Sequence, residues 1–213
     1  MKFNKLRPFH WDLIKDAQLY GKFDMPILKP VKYLDPDISF VPFHSCLSIK
    51  DPSNYGFDCY EDDYQFERLW NKPNKYTPIL EKFRCGIGPD FSMYLDMPRS
   101  QQIWNCWRNK VLTYYLQSRG LTVIPNANWS DLSSLDWAFD GLPSESVLAV
   151  SSQGCMKDYV CKQAFLNGLH ELVRQKHPVL ILVYGLFPEE WKTKFSVPIV
   201  CLKTFCALRW GKY

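Results

Sequence analysis

Polar residues able to do chemistry recur at one kind of place in this chain, at the end of a short apolar run. His44-Ser45 closes the first run, and Asp90 follows the second inside Pro89-Asp90-Phe91-Ser92. Asn126-Ala127-Asn128-Trp129 follows the third, Ser151-Ser152-Gln153-Gly154 the fourth, Tyr184-Gly185 the fifth and Lys203-Thr204 the sixth. Asp90 is a carboxylate suited to general-base work or to holding a metal ion. His44 is of the side-chain type that exchanges protons near neutrality. The Ser151-Ser152 stretch opens a helix, where backbone N–H groups near Gly154 can hold an anion such as phosphate. Trp129 can stack on a base or sugar, and the Tyr184 phenol can point into a ligand. The candidate ligand-binding residues are therefore His44, Ser92, Asn126, Asn128, Trp129, Ser151, Ser152 and Tyr184.

Asp90, Asp96 and Asp140 are the catalytic candidates. Together they could hold Mg²⁺ or Mn²⁺ for phosphodiester hydrolysis. Each also has a structural explanation. Asp96 precedes the Pro98 helix, where its charge suits the dipole. Asp140-Gly141 is a turn sequence, and Ser151 and Ser152 can cap a helix. The run Glu61-Asp62-Asp63 reads as a solvated face plus a helix cap. No Walker, dinucleotide, GxSxG, HExxH or zinc-deaminase pattern occurs, so no single motif names a reaction. Eight cysteines are present without a CxxC pair. Their irregular spacing inside apolar runs predicts free, partly buried thiols rather than disulfides or a zinc site.

The elements that must position these residues follow from the pattern. Strands are expected at 40–44, 85–89, 122–125, 147–151, 179–184 and 197–202. Most are apolar throughout, as in a parallel sheet covered on both faces. Helices fill the gaps. One opens at Asp62 with Gln65 three residues on, another follows Pro98 and stops at Gly120, and a third spans 157–175. Shorter helices are expected at 131–139 and 189–193. Trp104, Trp107 and Trp137 fall on helix faces and read as core. The fold class is α/β, with about six mostly parallel strands alternating with helices in a partial barrel or an open three-layer sheet. Ligands in such folds sit at the carboxyl ends of the strands, which makes the six polar exits one coherent pocket prediction.

Residues 1–38 contain Pro8, Pro26, Pro30 and Pro36 and read as an N-terminal arm on a single α/β domain, 39–213. A short helix at 10–20 and contacts through Phe9, Trp11, Leu13, Ile14 and Leu19 are expected there. The 213 residues are 46% hydrophobic and 23% charged, a globular balance, with 16% aromatic residues. No apolar run is long enough to cross a membrane, and the N-terminus lacks a signal-peptide pattern. The net charge of +4 is unevenly spread. Residues 1–34 and 190–213 are each +4 and the body between is −4. Basic ends suit nucleic acid or a protein partner, with Arg209, Trp210 and Lys212 as contact candidates.

The segments VPFHSCLSIKD, DDYQFERLWNKPNKY, GPDFSMYLDMPRSQQIWNCWR, GLTVIPNANW, FDGLP, AVSSQG and LVYG carry a resemblance. Between Phe40 and Gly185 the chain resembles an uncharacterised domain-of-unknown-function family of bacteriophages and mobile elements of Gram-positive bacteria. The resemblance implies phage or mobile-element origin and a cytoplasmic host setting, and no reaction. Its motif residues Asp90, Ser92, Asp96, Asn105, Asn126, Trp129, Asp140, Gly141, Ser151, Gly154 and Tyr184 overlap the strand exits. Three functions stay open. One is an accessory protein binding a nucleotide or nucleic acid in the strand-end pocket. The others are a metal-dependent phosphodiester hydrolase and a binding partner or inhibitor of a host defence protein.

Overall fold

A computed structural model describes residues 9–202. After a 3-10 turn at Trp11–Ile14, the chain makes a small antiparallel hairpin, β1 (Leu19–Tyr20) with β2 (Met25–Pro26). The alternating part follows: β3 (Ser39–Pro42), α1 (Phe43–Cys46), β4 (Tyr55–Asp58), α2 (Asp63–Asn71), α3 (Pro73–Leu80), β5 (Cys85–Ile87), α4 (Arg99–Ser118) and β6 (Val123–Ile124). It continues through β7 (Val147–Ser151), α5 (Tyr159–Lys176), β8 (Leu180–Tyr184), α6 (Glu189–Lys192) and β9 (Ile199–Leu202). None of the described helices is long and apolar enough to cross a membrane.

β3 to β6 pair in parallel in chain order, and so do β7 to β9. The two sheets join where Asn126 bridges to Ala149, with Ala127 N–H donating to Ala149 O at 2.8 Å and Ala149 N–H to Pro125 O at 3.0 Å. Seven parallel strands in sequential order curl until one face packs against itself. That inner core takes Phe40, Ile87, Ile124, Ala149 and Leu182 from five strands, with Tyr60 and Tyr184 at the carboxyl end. No ladder joins β3 to β9 among the described residues, so the structure is a partial barrel that stays open.

The six expected strands all form: 147–151 as expected, the first shifted to Ser39–Pro42 with Phe43 and His44 opening α1, and the others trimmed. The strand β4, Tyr55–Asp58, is additional to the six expected. Gly56 belongs there for packing: a Cβ would lie 2.5 Å from the Phe40 ring. Other expectations need correction. Asp62 stands at the N-cap of α2 as expected, but its side chain makes no cap hydrogen bond. The 131–139 helix shrinks to a 3-10 turn at Leu132–Ser134 capped by Asp131. Trp137 is core, but Trp104 is 38% exposed and stacks on Trp107.

The arm also differs from expectation. Only the Trp11–Ile14 turn forms in place of a helix, and it docks Leu13 and Ile14 while Phe9, Trp11 and Leu19 stay exposed. Further along, Val31 joins the inner core, its N–H donating to Ser146 Oγ at 2.9 Å and its carbonyl accepting from Val147 N–H at 2.7 Å. The arm therefore covers the end of the barrel where β7 begins and leaves the opposite end open.

Candidate functional site

At that opposite end the strand exits surround a cavity of about 640 Å³. Its wall includes His44 from the β3 exit, Tyr60 and Glu61 from β4, Asp90 and Ser92 from β5, Asn128 and Trp129 from β6, Ser151 and Gln153 from β7, and Tyr184 from β8. The polar exits converge because parallel strands all point their carboxyl ends the same way.

Asp90 is held in place from beneath. Its Oδ1 accepts from Asn126 Nδ2 at 2.8 Å, and Asn128 adds a second side-chain bond. Asn126 is buried and in turn accepts from the Tyr60 hydroxyl at 2.8 Å. The Tyr60 ring stacks on Tyr184 with centroids 4.6 Å apart. Three strand ends thus support one carboxylate. Burial raises the Asp90 carboxyl to about 6, against the two amide donors, which favour its ionised form.

A second cluster lies at the β3 and β4 exits. Glu61 accepts from the His44 backbone N–H at 3.1 Å and also bonds the His44 ring at Nδ1. Asp58 is almost sealed, and its Oδ1 accepts from Tyr60 N–H at 3.0 Å. Burial pushes its carboxyl up to about 7, Glu61 adds to the rise and His44 opposes it. Glu61, taken from the sequence as part of a solvated face, is instead folded over His44 with its side chain 10% exposed. Tyr60 and Glu61 were missed because the strand that delivers them was missed.

The remaining candidates separate. Trp129 walls the cavity, but its indole is fixed: Nε1 donates to Ala164 O at 3.0 Å, and the ring stacks on Phe165. Gly168 on α5 makes room for it, since a Cβ there would lie 2.0 Å from Nε1. Ser92 lines the cavity with its hydroxyl donating to Asp63 at 2.9 Å, and Ser151 Oγ accepts from Gln153 N–H. Asn126 and Ser152 are not on the wall. Asn126 acts through Asp90. Ser152 is buried, its hydroxyl bonding the carbonyls of Leu186 at 2.7 Å and Tyr184 at 3.3 Å, so it ties two strand exits together.

The aspartate triad does not assemble. Only Asp90 lines the cavity. Asp96 is exposed ahead of α4, and Asp140 faces Lys110 and Lys176 beside Gly21 of the hairpin. Among the described residues, no three His, Cys, Asp or Glu side chains are placed to hold a metal ion together. The cysteines among those residues are free, as expected. Arg209, Trp210 and Lys212 lie outside the described residues, and so does the sixth polar exit. Among the described wall residues, Glu61, Asp62 and Asp90 are acidic and none is Lys or Arg.

A parallel, sequentially wound open barrel with a polar strand-end cavity is the class of protein defined here. The chain belongs to the family of domains of unknown function DUF4417, whose model matches residues 17–203. It is similar to the Gene 1 protein of Mycobacterium phage L5, 33% identical over 165 residues, 76% of this chain and 71% of that protein. The Gene 1 protein of Mycobacterium phage D29 is 32% identical over 163 residues, again 76% of this chain but 60% of that protein's length. No solved structure matches the chain. The family is thus phage-associated and of unknown function, as the sequence motifs imply.

Proposed function

We propose that the strand-end cavity binds the base and sugar of a nucleotide, with the phosphates left outside. The observation that carries this reading is the make-up of the wall. It combines aromatic rings (Trp129, Tyr184) with a carboxylate and an amide (Asp90, Asn128), and its described part has no lysine or arginine to neutralise a phosphate. A volume of about 640 Å³ suits a nucleoside-sized ligand. Asp90 accepts an N–H from the edge of the base, Asn128 accepts beside it through its Oδ1 because its amide hydrogens go to Asp90 and Phe91 O, and an aromatic face covers the ring. Loss of water from the cavity strengthens these contacts.

Titration of the protein with nucleosides and with their mono- and triphosphates, followed by calorimetry and by tryptophan fluorescence, tests this. Nucleosides are expected to bind about as well as their phosphates, and Asp90→Ala to weaken binding at least tenfold. Binding that requires the phosphates and survives Asp90→Ala would overturn the reading.

A further inference from the structure

We propose that Cys106 and Lys110 form an oxidation site, joining through one oxygen into a covalent sulfur–oxygen–nitrogen cross-link. The two residues lie one helical turn apart on the same face of α4. Lys110 Nζ is 2.8 Å from Cys106 Sγ, close to the span of two bonds through a shared oxygen. Both side chains are buried, at 2% and 0% exposure. The ammonium also donates to Ala138 O at 2.8 Å, and Cys106 Sγ lies 3.6 Å from that same oxygen. The pair is therefore fixed in mutual contact, with little freedom to rotate apart.

The surroundings restrict other outcomes. A buried thiol without a second cysteine beside it ordinarily climbs from sulfenic to sulfinic acid once oxidised. Here the Lys110 nitrogen is already in contact, so an oxygen carried on it is placed to intercept the sulfenic acid. A buried ammonium is costly to keep, so a product that neutralises it suits the site.

The chemistry balances with hydrogen peroxide as oxidant. One peroxide oxidises the thiol to sulfenic acid and releases water. A second oxidises the amine to a hydroxylamine and releases water. The hydroxylamine oxygen then attacks the sulfenic sulfur, forming the S–O bond and expelling a third water. Sulfur and nitrogen each lose two electrons, and two peroxides are reduced. Excess thiol reverses the sequence. Access comes through the hairpin beside Asp140, whose strands are two residues each and can open locally.

Mass spectrometry of the full chain, treated with peroxide under native conditions and digested with trypsin, reads the product directly. The bridge adds one oxygen and removes two hydrogens, a gain of about 14 Da. It also blocks cleavage after Lys110, so peptide 100–108 is recovered joined to 109–119. That joined species is expected to disappear on reduction with dithiothreitol. It is also expected to be absent from Cys106→Ser, a near-isosteric change whose folding is checked by circular dichroism. Normal cleavage at Lys110 with Cys106 unmodified would overturn the proposal. So would a Cys106 that gains only whole oxygens.

Discussion

Replacing Asp58 by Asn should stabilise the protein above neutral pH and not below pH 4. Asp58 is 2% exposed at the end of β4, and its carboxyl rises from 3.8 to about 7 on folding, chiefly through burial. A rise of that size corresponds to about 4 kcal/mol between the two protonation states. The sign follows from linkage: the folded state holds the proton more tightly than the unfolded chain does. The favourable contribution is complete below about pH 4 and lost as pH climbs towards 7, beyond which the penalty is constant. Asparagine removes the ionisation and keeps an Oδ1 to accept from Tyr60 N–H, which the carboxylate accepts at 3.0 Å. Its extra amide hydrogens cost about 1–2 kcal/mol of desolvation in the buried site. The expected net gain is about 2–3 kcal/mol at pH 8, turning into a loss of about 1–2 kcal/mol at pH 4. Urea unfolding of wild type and Asp58→Asn at pH 4, 6 and 8 measures this. The reasoning fails if the difference between the two proteins is the same at all three values, or if the variant is the less stable at pH 8.

Three further outcomes follow from the same geometry. Gly168→Ala puts a methyl group 2.0 Å from Trp129 Nε1. It should cost about 1–3 kcal/mol by overpacking and shift tryptophan emission, both read in one fluorescence-detected melt. Asn126→Ala orphans the Tyr60 hydroxyl and removes a donor from Asp90. A loss of about 2–3 kcal/mol in chemical denaturation is expected, and Asn126→Leu should be no better because the hydroxyl stays unpaired. Finally, a ligand that donates an N–H to Asp90 needs that carboxyl ionised. Because burial raises it to about 6, affinity should be flat above pH 7 and fall about tenfold per pH unit well below 6. Calorimetry across pH 5–8 checks the profile, and Asp90→Asn should flatten it.

Much of the fold was legible from the sequence because its strands are buried on both faces. Val147–Ser151 and Leu180–Tyr184 are apolar almost throughout and need no long-range information to be recognised. The helix after Pro98 likewise follows local start and stop signals, whereas the third helix opens at Tyr159 rather than near Ser151-Ser152, capped by Asp158, which accepts from Cys161 N–H at 2.9 Å. Tyr55–Asp58 was illegible for the opposite reason. Its glycine is set by the Phe40 ring of the neighbouring strand, a contact without a trace in local pattern. Missing that strand hid Tyr60 and Glu61, two wall residues.

What the sequence determined by itself was most of the alternation of elements, the parallel direction of the sheet and the polar character of six strand exits. Each is written in a stretch of a few residues, through burial pattern and turn chemistry. Only the tertiary structure decided how those exits are used. Asp90 faces a cavity while Asp140 faces two lysines, and Ser151 reaches the wall while its neighbour Ser152 is spent on two carbonyls. The curl of the sheet decides this. It depends on how seven strands twist against one another, and adjacent side chains on a strand point to opposite faces, so a single step of register exchanges a wall residue for a structural one.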